Sequence, residues 1–342
     1  MGTEITELSG YGDNGGVARW DTDGDPASFS EAELGQLKAI WSIVAEDYAA
    51  FDVDVTTKDP GDAALLGIGV RVVIGGDSPG GVAMGGVAWV GSFGTNNPAF
   101  VYPYRFYSSV KSTGEAASHE AGHTLGLLHD DNVPDGNIWG PIMASSRQLN
   151  LTQWSKGEYY GASNKQNDYA VMGQFLDLLP QQYGRSIAAA SPLSASGSIA
   201  GIISNEGQTD YFSFNAAAGV VSVTAMGAGT IKTADGDVFN IGNLDVQLTL
   251  NLPAAGTYYV SVKGVGAGDP QQYGYSDYGS RGRYVLSIGD PRRPTTGAID
   301  CVGSWECAQC DAKCGGGRRT CVFRVTYAGQ EGGQPCRFKT GL

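Results

Sequence analysis

Cysteine is absent from this 342-residue chain until position 301, histidine occurs only three times, and 22 Lys and Arg are outnumbered by 35 Asp and Glu. The formal net charge of −13 excludes nucleic acid as a partner, because a phosphate backbone is bound by neutralising Lys and Arg. No run approaches the roughly 20 apolar residues that cross a bilayer, so no membrane span is expected. Residues 1–30 also lack the basic and apolar regions of an export signal. The expectation is a chain from which the signal and any propeptide are already missing. Charged residues make up only 17% of the sequence while glycine occurs 52 times, a balance that favours strands and turns over long helices. With 42% hydrophobic residues and a mean hydropathy of −0.16, the chain has material for two or three cores.

All six cysteines, Cys301, Cys307, Cys310, Cys314, Cys321 and Cys336, fall in the last segment. An even count in a stretch too short to bury much core predicts a disulfide-stapled module and hence a secreted, extracellular protein. Which of the roughly 15 pairings forms is not decided by sequence. The spacing of Cys307, Cys310 and Cys314 leaves a four-thiolate zinc site as the competing reading. This segment is basic, with Lys313, Arg318, Arg319, Arg324, Arg337 and Lys339 against Glu306, Asp311 and Glu331, which points to a separate binding task.

Apolar spacing from Ser30 to Phe51 predicts a helix opened by a Ser30/Glu33 capping box. Runs at 67–75, 86–91 and 99–103 predict strands. A second helix is expected over 112–125, with Ser112 and Glu115 at capping-box spacing, and a third over 167–179, stopped by Pro180. After a polar boundary at 181–198 the pattern turns to β, with strands over 209–214, 219–225, 245–251, 256–263 and 282–288 at the spacing of a small sandwich. The segment 291–300 is expected to be a linker.

The three histidines lie in one stretch, residues 119–130, reading HEAGHTLGLLHD. On a helix, His119 and His123 project one above the other from one face, the geometry that two imidazoles need to share a metal. His129 could not join them on a continuing helix. Gly126 allows a left-handed turn that ends it and returns His129 to complete a three-nitrogen site with an open fourth position, as a catalytic zinc requires. Three neutral imidazoles leave zinc its full charge, which lowers the pKa of a coordinated water to about 7. Glu120 is then placed as the general base.

The stretch resembles the HExxHxxGxxH signature of the metzincin metallopeptidases, with Asp130 as in the adamalysin (reprolysin) branch. The resemblance implies an α+β catalytic domain, a mixed twisted sheet with an active-site helix, and a methionine turn under the zinc, for which Met143 in Gly140-Pro141-Ile142-Met143 is the candidate. It also implies that an edge strand, here Gly86, Val87, Ala88 and Trp89, receives protein or peptide substrates as an added strand. The wall of the S1′ pocket would follow at 144–154. Asp21, Asp23 and Asp25 are acids enough for calcium, Ca2+, but lack a twelve-residue binding loop, so a solvated turn is the simpler reading. Asn150-Leu151-Thr152 has the N-glycosylation pattern.

Residues 181–290 resemble the bacterial pre-peptidase C-terminal domain, an all-β sandwich, through Asp210-Tyr211-Phe212-Ser213-Phe214, the stretch 255–262 and Tyr275-Ser276-Asp277-Tyr278-Gly279-Ser280. Residues 301–342 resemble a thrombospondin type 1 repeat through Cys301-Val302-Gly303-Ser304-Trp305, Cys310 and Cys314-Gly315-Gly316-Gly317. That repeat layers tryptophan between arginines, with Trp305 and Arg318, Arg319 and Arg324 as the candidates here, and the module is either a structural spacer or a basic surface for sulfated glycans or matrix. The multidomain expectation is therefore a zinc metallopeptidase domain over 1–180, a β-sandwich over 181–290, a linker over 291–300 and a small disulfide-rich module over 301–342. The alternative is an adhesion protein with a catalytically retired metal domain.

Overall fold

A computed structural model describes residues 2–6, 20–25, 27–78, 84–133, 136–137, 139–146, 149–193, 197–227, 230–233, 245–289, 302–307 and 321–327. It is a mixed α+β fold with several small open sheets. Strand β1 (Gly2–Thr6) is followed by α1 (Glu31–Asp47), β2 (Asp54–Thr56), α2 (Asp62–Leu65), β3 (Val70–Ile74), β4 (Gly86–Val87) and β5 (Ala99–Val101). These strands form one sheet in the order β2-β1-β3-β5-β4, parallel except for β4, which runs antiparallel at the edge. The sequence of β3, VRVVI, suits a strand covered on both faces, and Val72 and Val73 are fully buried.

Helix α3 (Val110–Thr124) packs beside α1 and against β3 and β5. Small residues bring it close. A Cβ on Gly114 would stand 2.9 Å from Ile43 of α1. The Ser30/Glu33 capping box at α1 is present, with the Glu33 carboxylate accepting from the Ser30 amide at 2.9 Å. At α3 the expected cap is shifted. Ser109 takes that role by accepting from the Ser112 amide, and Glu115 lies inside the helix, paired with Lys111 and accepting from Thr152.

After α3 come β6 (Trp139–Pro141) and β7 (Leu151–Gln153), paired parallel as a two-stranded ribbon. The third predicted helix is much shorter than its periodicity suggests, since α4 covers only Asp168–Met172. Beyond it Leu178 leaves the helical path to form an isolated bridge with Phe51.

The following strands are β8 (Ser191–Pro192), β9 (Ser198–Ile203), β10 (Thr209–Ala216), β11 (Gly219–Gly227), β12 (Thr230–Thr233), β13 (Asp245–Leu252), β14 (Gly256–Lys263) and β15 (Gly282–Gly289). They form two four-stranded sheets, β12-β14-β10-β8 and β13-β11-β15-β9. Alternation along β10 and β15 sends Phe212, Phe214, Tyr284, Leu286 and Ile288 into one apolar cluster shared by both sheets. The five predicted β segments all fall on strands. Those at β8, β9 and β12 are additional.

The last described elements are β16 (Val302–Cys307) and β17 (Cys321–Tyr327), an antiparallel ribbon in which Cys307 and Cys321 are register partners. The disulfide-stapled module expected here is corrected: no disulfide bond is found among the described residues. Main-chain pairing joins the ribbon instead. The expectation rested on an even cysteine count in a short segment, and neither count nor length brings any two thiols together. The linker at 291–300, the remaining cysteines and the side chains of Trp305, Arg318, Arg319 and Arg324 lie outside the described residues. Among the described residues no helix is long and apolar enough to cross a membrane.

Candidate metal centre

Helix α3 ends where the third histidine must turn back. Leu125 caps it, Gly126 takes a φ of +96°, the Gly126 amide donates to the His123 carbonyl at 2.9 Å, and the Leu127 amide donates to Gly122 at 3.1 Å. This is the Schellman pattern, which glycine adopts without steric penalty. From outside the helix the Gly91 amide also donates to the His123 carbonyl, and one further helix-end carbonyl, that of Thr124, accepts from the Phe93 amide, each at 2.9 Å.

The reversal brings the three imidazoles together. His119, His123 and His129 each offer a ring nitrogen within 4.8 Å of the others, and the Nε2 atoms of His123 and His129 are 3.0 Å apart. His119 Nδ1 lies 2.8 Å from the Ile142 carbonyl and His123 Nδ1 lies 2.7 Å from the Leu127 carbonyl. A carbonyl can only accept, so each Nδ1 carries a proton and each Nε2 presents a lone pair. Burial lowers the His123 pKa, opposed by its bond to Leu127 and assisted by nearby His129. The neutral, ligating form is thereby favoured.

This donor set fits zinc. Tetrahedral Zn–N bonds of about 2.0–2.1 Å place ligand nitrogens roughly 3.3 Å apart, close to the separation of the His123 and His129 nitrogens. Three neutral imidazoles with no thiolate or carboxylate among them also match the ligand class of a catalytic rather than a structural zinc.

Beneath the cluster lies the predicted methionine turn. Met143 is fully buried, and its Sδ would be 2.9 Å from a Cβ placed on Gly122. The same turn is tied to the histidine segment twice, through the Ile142 carbonyl to His119 and through the Met143 carbonyl, which accepts from the amide of Asp130, next to His129, at 2.9 Å. Asp130 itself is buried, and desolvation with the Asp131 charge nearby pushes its carboxyl up to about 7, against a lowering by Asn164.

Glu120 is buried on α3, and a Cβ on Gly86 would stand 2.5 Å from its Oε1 and 2.7 Å from the Phe100 carbonyl. Edge strand and carboxylate are therefore in direct contact. The strand is shorter than the predicted 86–91, covering only Gly86–Val87. Ala88 turns toward the core while Val87 and Trp89 are exposed. Of the acidic trio near the start, Asp21 and Asp23 converge with Glu33 into a second group that could hold a cation, whereas Asp25 accepts from Ala27 and Ser28.

Several contributors carry no motif. The carbonyls of Leu127 and Ile142 leave no trace in a sequence, being common to every residue. Asn164, donating to the His129 carbonyl at 3.1 Å, and Gln166, bridging Gly126 and Leu128, come from a distant loop. Gly122 was findable, since a glycine inside a helix costs about 1 kcal/mol relative to alanine and so needs a packing reason.

No family model matches this chain, and no curated protein matches it. Among solved structures, the pre-peptidase C-terminal domain of a collagenase from Bacillus anthracis is similar at 17% identity over 33% of this chain and 100% of its own, with a TM-score of 0.22. PliG of Salmonella Typhimurium, a periplasmic inhibitor of g-type lysozyme, is similar at 18% identity over 29% of this chain and 96% of its own, with a TM-score of 0.18. Myroilysin is similar at 16% identity over 53% of this chain and 63% of its own, with a TM-score of 0.22. Likenesses of this size are partial and establish no family.

Proposed function

We propose that this chain is a secreted zinc-dependent endopeptidase of the metzincin type, in which His119, His123 and His129 hold the metal and Glu120 is the general base. The carrying observation is the convergence of three histidine nitrogens, with Nδ1 of His119 and of His123 engaged by main-chain carbonyls, which leaves each Nε2 for a metal. When bound, zinc would supply Lewis acidity toward a carbonyl and acidify water in its open position.

The chain's own groups do the rest. Gly86 and Val87 present an antiparallel edge to which an extended peptide adds as a strand, with main-chain bonds giving affinity and little selectivity. Glu120 lies directly against that edge, where its carboxylate takes a proton from the attacking water and returns it to the leaving amine. Burial of Glu120 limits competing water at that step. Gly126 and Met143 shape the site, and Asp130 anchors the return of the chain. The paired sheets after residue 181 are read as a β-sandwich domain and residues 301–342 as a basic module for sulfated glycans or matrix.

Cleavage of an unstructured protein by the native chain, by a chelator-treated sample and by Glu120→Ala tests the reading. The native chain is expected to cleave, chelation to stop it reversibly, and Glu120→Ala to lose about 10² to 10⁴ in rate while keeping zinc. One zinc per chain without Glu120-dependent proteolysis would instead support the adhesion reading.

A further inference from the structure

The loop leading into β15 does not stay with its own sheets. Tyr278 is 2% exposed and belongs to the apolar cluster of the first part of the chain, among Trp154, Tyr169 and Met172. Its hydroxyl accepts from the Tyr169 amide at 3.0 Å and donates to Asn167 Oδ1 at 2.7 Å, so it completes the capping of α4, whose N-cap is Asn167. Arg281 lies over the Tyr169 ring at 3.6 Å and donates through Nε to the Tyr278 carbonyl at 3.1 Å.

Between them Gly279 makes the closest approach. A Cβ there would stand 2.8 Å from Gln153 Cβ and 2.9 Å from the Trp154 carbonyl. No side chain fits, so the loop backbone rests on the end of β7.

That strand end leads to the metal centre in two bonds. The Gln153 carbonyl accepts from the Ile142 amide at 2.9 Å, and the Ile142 carbonyl sits 2.8 Å from His119 Nδ1. The ribbon of β6 and β7 has only two strands, an arrangement of marginal stability by itself. It is held at two more points, by Trp139 Nε1 donating to the Gly274 carbonyl at its other end and by Gln153 Nε2 donating to Ser280 Oγ at 3.3 Å.

We propose that the 274–281 loop is a positioning element of the metal centre: seated on Gln153 and Trp154, it fixes the β6–β7 ribbon and with it the Ile142 carbonyl that orients His119. The paired sheets are thereby part of the site's support and not a tethered accessory. Tyr278, Gly279 and Arg281 are positioning residues acting through Gln153 and Ile142. The inference rests on the zinc reading of the three histidines but not on peptide cleavage.

The test is zinc affinity of the full-length chain, measured by competition with a chromogenic chelator, alongside its thermal midpoint. Gly279→Ala is expected to weaken zinc about tenfold, the lower end of the range seen when partners of metal ligands are disturbed, and Tyr278→Phe, which removes only a hydroxyl, about threefold, below that range. Leu286→Ala, deep in the cluster of the paired sheets and remote from the loop contacts, serves as control. It is expected to lower the thermal midpoint at least as much while leaving zinc affinity within about twofold of native, on the same scale. Should Gly279→Ala not fold, Tyr278→Phe decides. Native-like zinc affinity in the loop variants, or an equal loss in Leu286→Ala, would overturn the proposal. Zinc binding that responds as expected in a chain showing no Glu120-dependent cleavage would sink the peptidase reading and leave this one standing; a native chain that binds no zinc overturns both.

Discussion

Gly122 sets two energies against each other. Replacing it with alanine removes the helix penalty of about 1 kcal/mol but places a methyl 2.9 Å from Met143 Sδ and 3.3 Å from Trp154 Cζ3. Overpacking a closed core typically costs about 1–3 kcal/mol, and Met143 is fully buried. Urea denaturation of Gly122→Ala should therefore show no gain in stability and a net loss of up to about 2 kcal/mol. Gly35 is the matching case on α1, exposed and with nothing within 4 Å of the methyl that alanine would add. There the same substitution should raise stability by about 0.5–1 kcal/mol. Equal effects at the two glycines would show that Met143 yields freely.

Elements rather than residues decide how Glu120 and α3 are held. Gly86→Ala on the edge strand would force its methyl against both Glu120 and the fixed Phe100 carbonyl. Since a displacement of about 1 Å can cost about a hundredfold in rate, cleavage should fall by about that factor with zinc content unchanged. Metal analysis beside kinetics separates this from loss of the site. On the opposite side, α1 and α3 are joined by Ser118 Oγ donating to Asp47 at 2.5 Å and by Tyr48 donating to the Ser118 carbonyl at 3.0 Å. Asp47 is half-buried as a residue, with its carboxyl turned onto Ser118. Desolvation pushes that carboxyl up to about 8, opposed by the Ser118 bond and reinforced by Glu115 and Glu46. The folded state thus favours the protonated acid. Its contribution is complete below the ordinary carboxyl range near about 4 and is lost as pH rises toward 8. Stability of the native chain should decline across that window relative to Asp47→Asn, as followed by thermal midpoint against pH.

At the scale of the whole molecule, the contacts between the first cluster and the paired sheets include Arg283 bonded to Glu46 and the Ala45 carbonyl, and Lys156 paired with Glu206. These join the regions read from sequence as separate domains. Calorimetry is expected to show residues 20–289 unfolding in one transition, which zinc at a thousandfold excess over its Kd raises by about 4 kcal/mol. Two resolved transitions, only one responding to zinc, would count against a shared support. The clustering of the three histidines, the turn at Gly126 and five of the eight strands of the paired sheets were legible because local spacing encodes them. The short α4 and the shift of the α3 cap were not, since Leu178 bridging to Phe51 and Ser109 outcompeting Ser112 depend on tertiary context. Nor did the segment around Tyr278 announce its seat: its pattern suits a sandwich, while its aromatic ring fills a neighbour's core.

The acceptors that orient His119 and His123 are main-chain carbonyls, and this alters how the site can be lost through mutation. Replacing Leu127 or Ile142 changes a side chain but leaves the carbonyl in place. A single-residue insertion or deletion between His123 and Leu127 would instead bring a different carbonyl, or none, to the imidazole. The proton positions on the two imidazoles are therefore encoded in segment length, which makes them robust to substitution and vulnerable to indels.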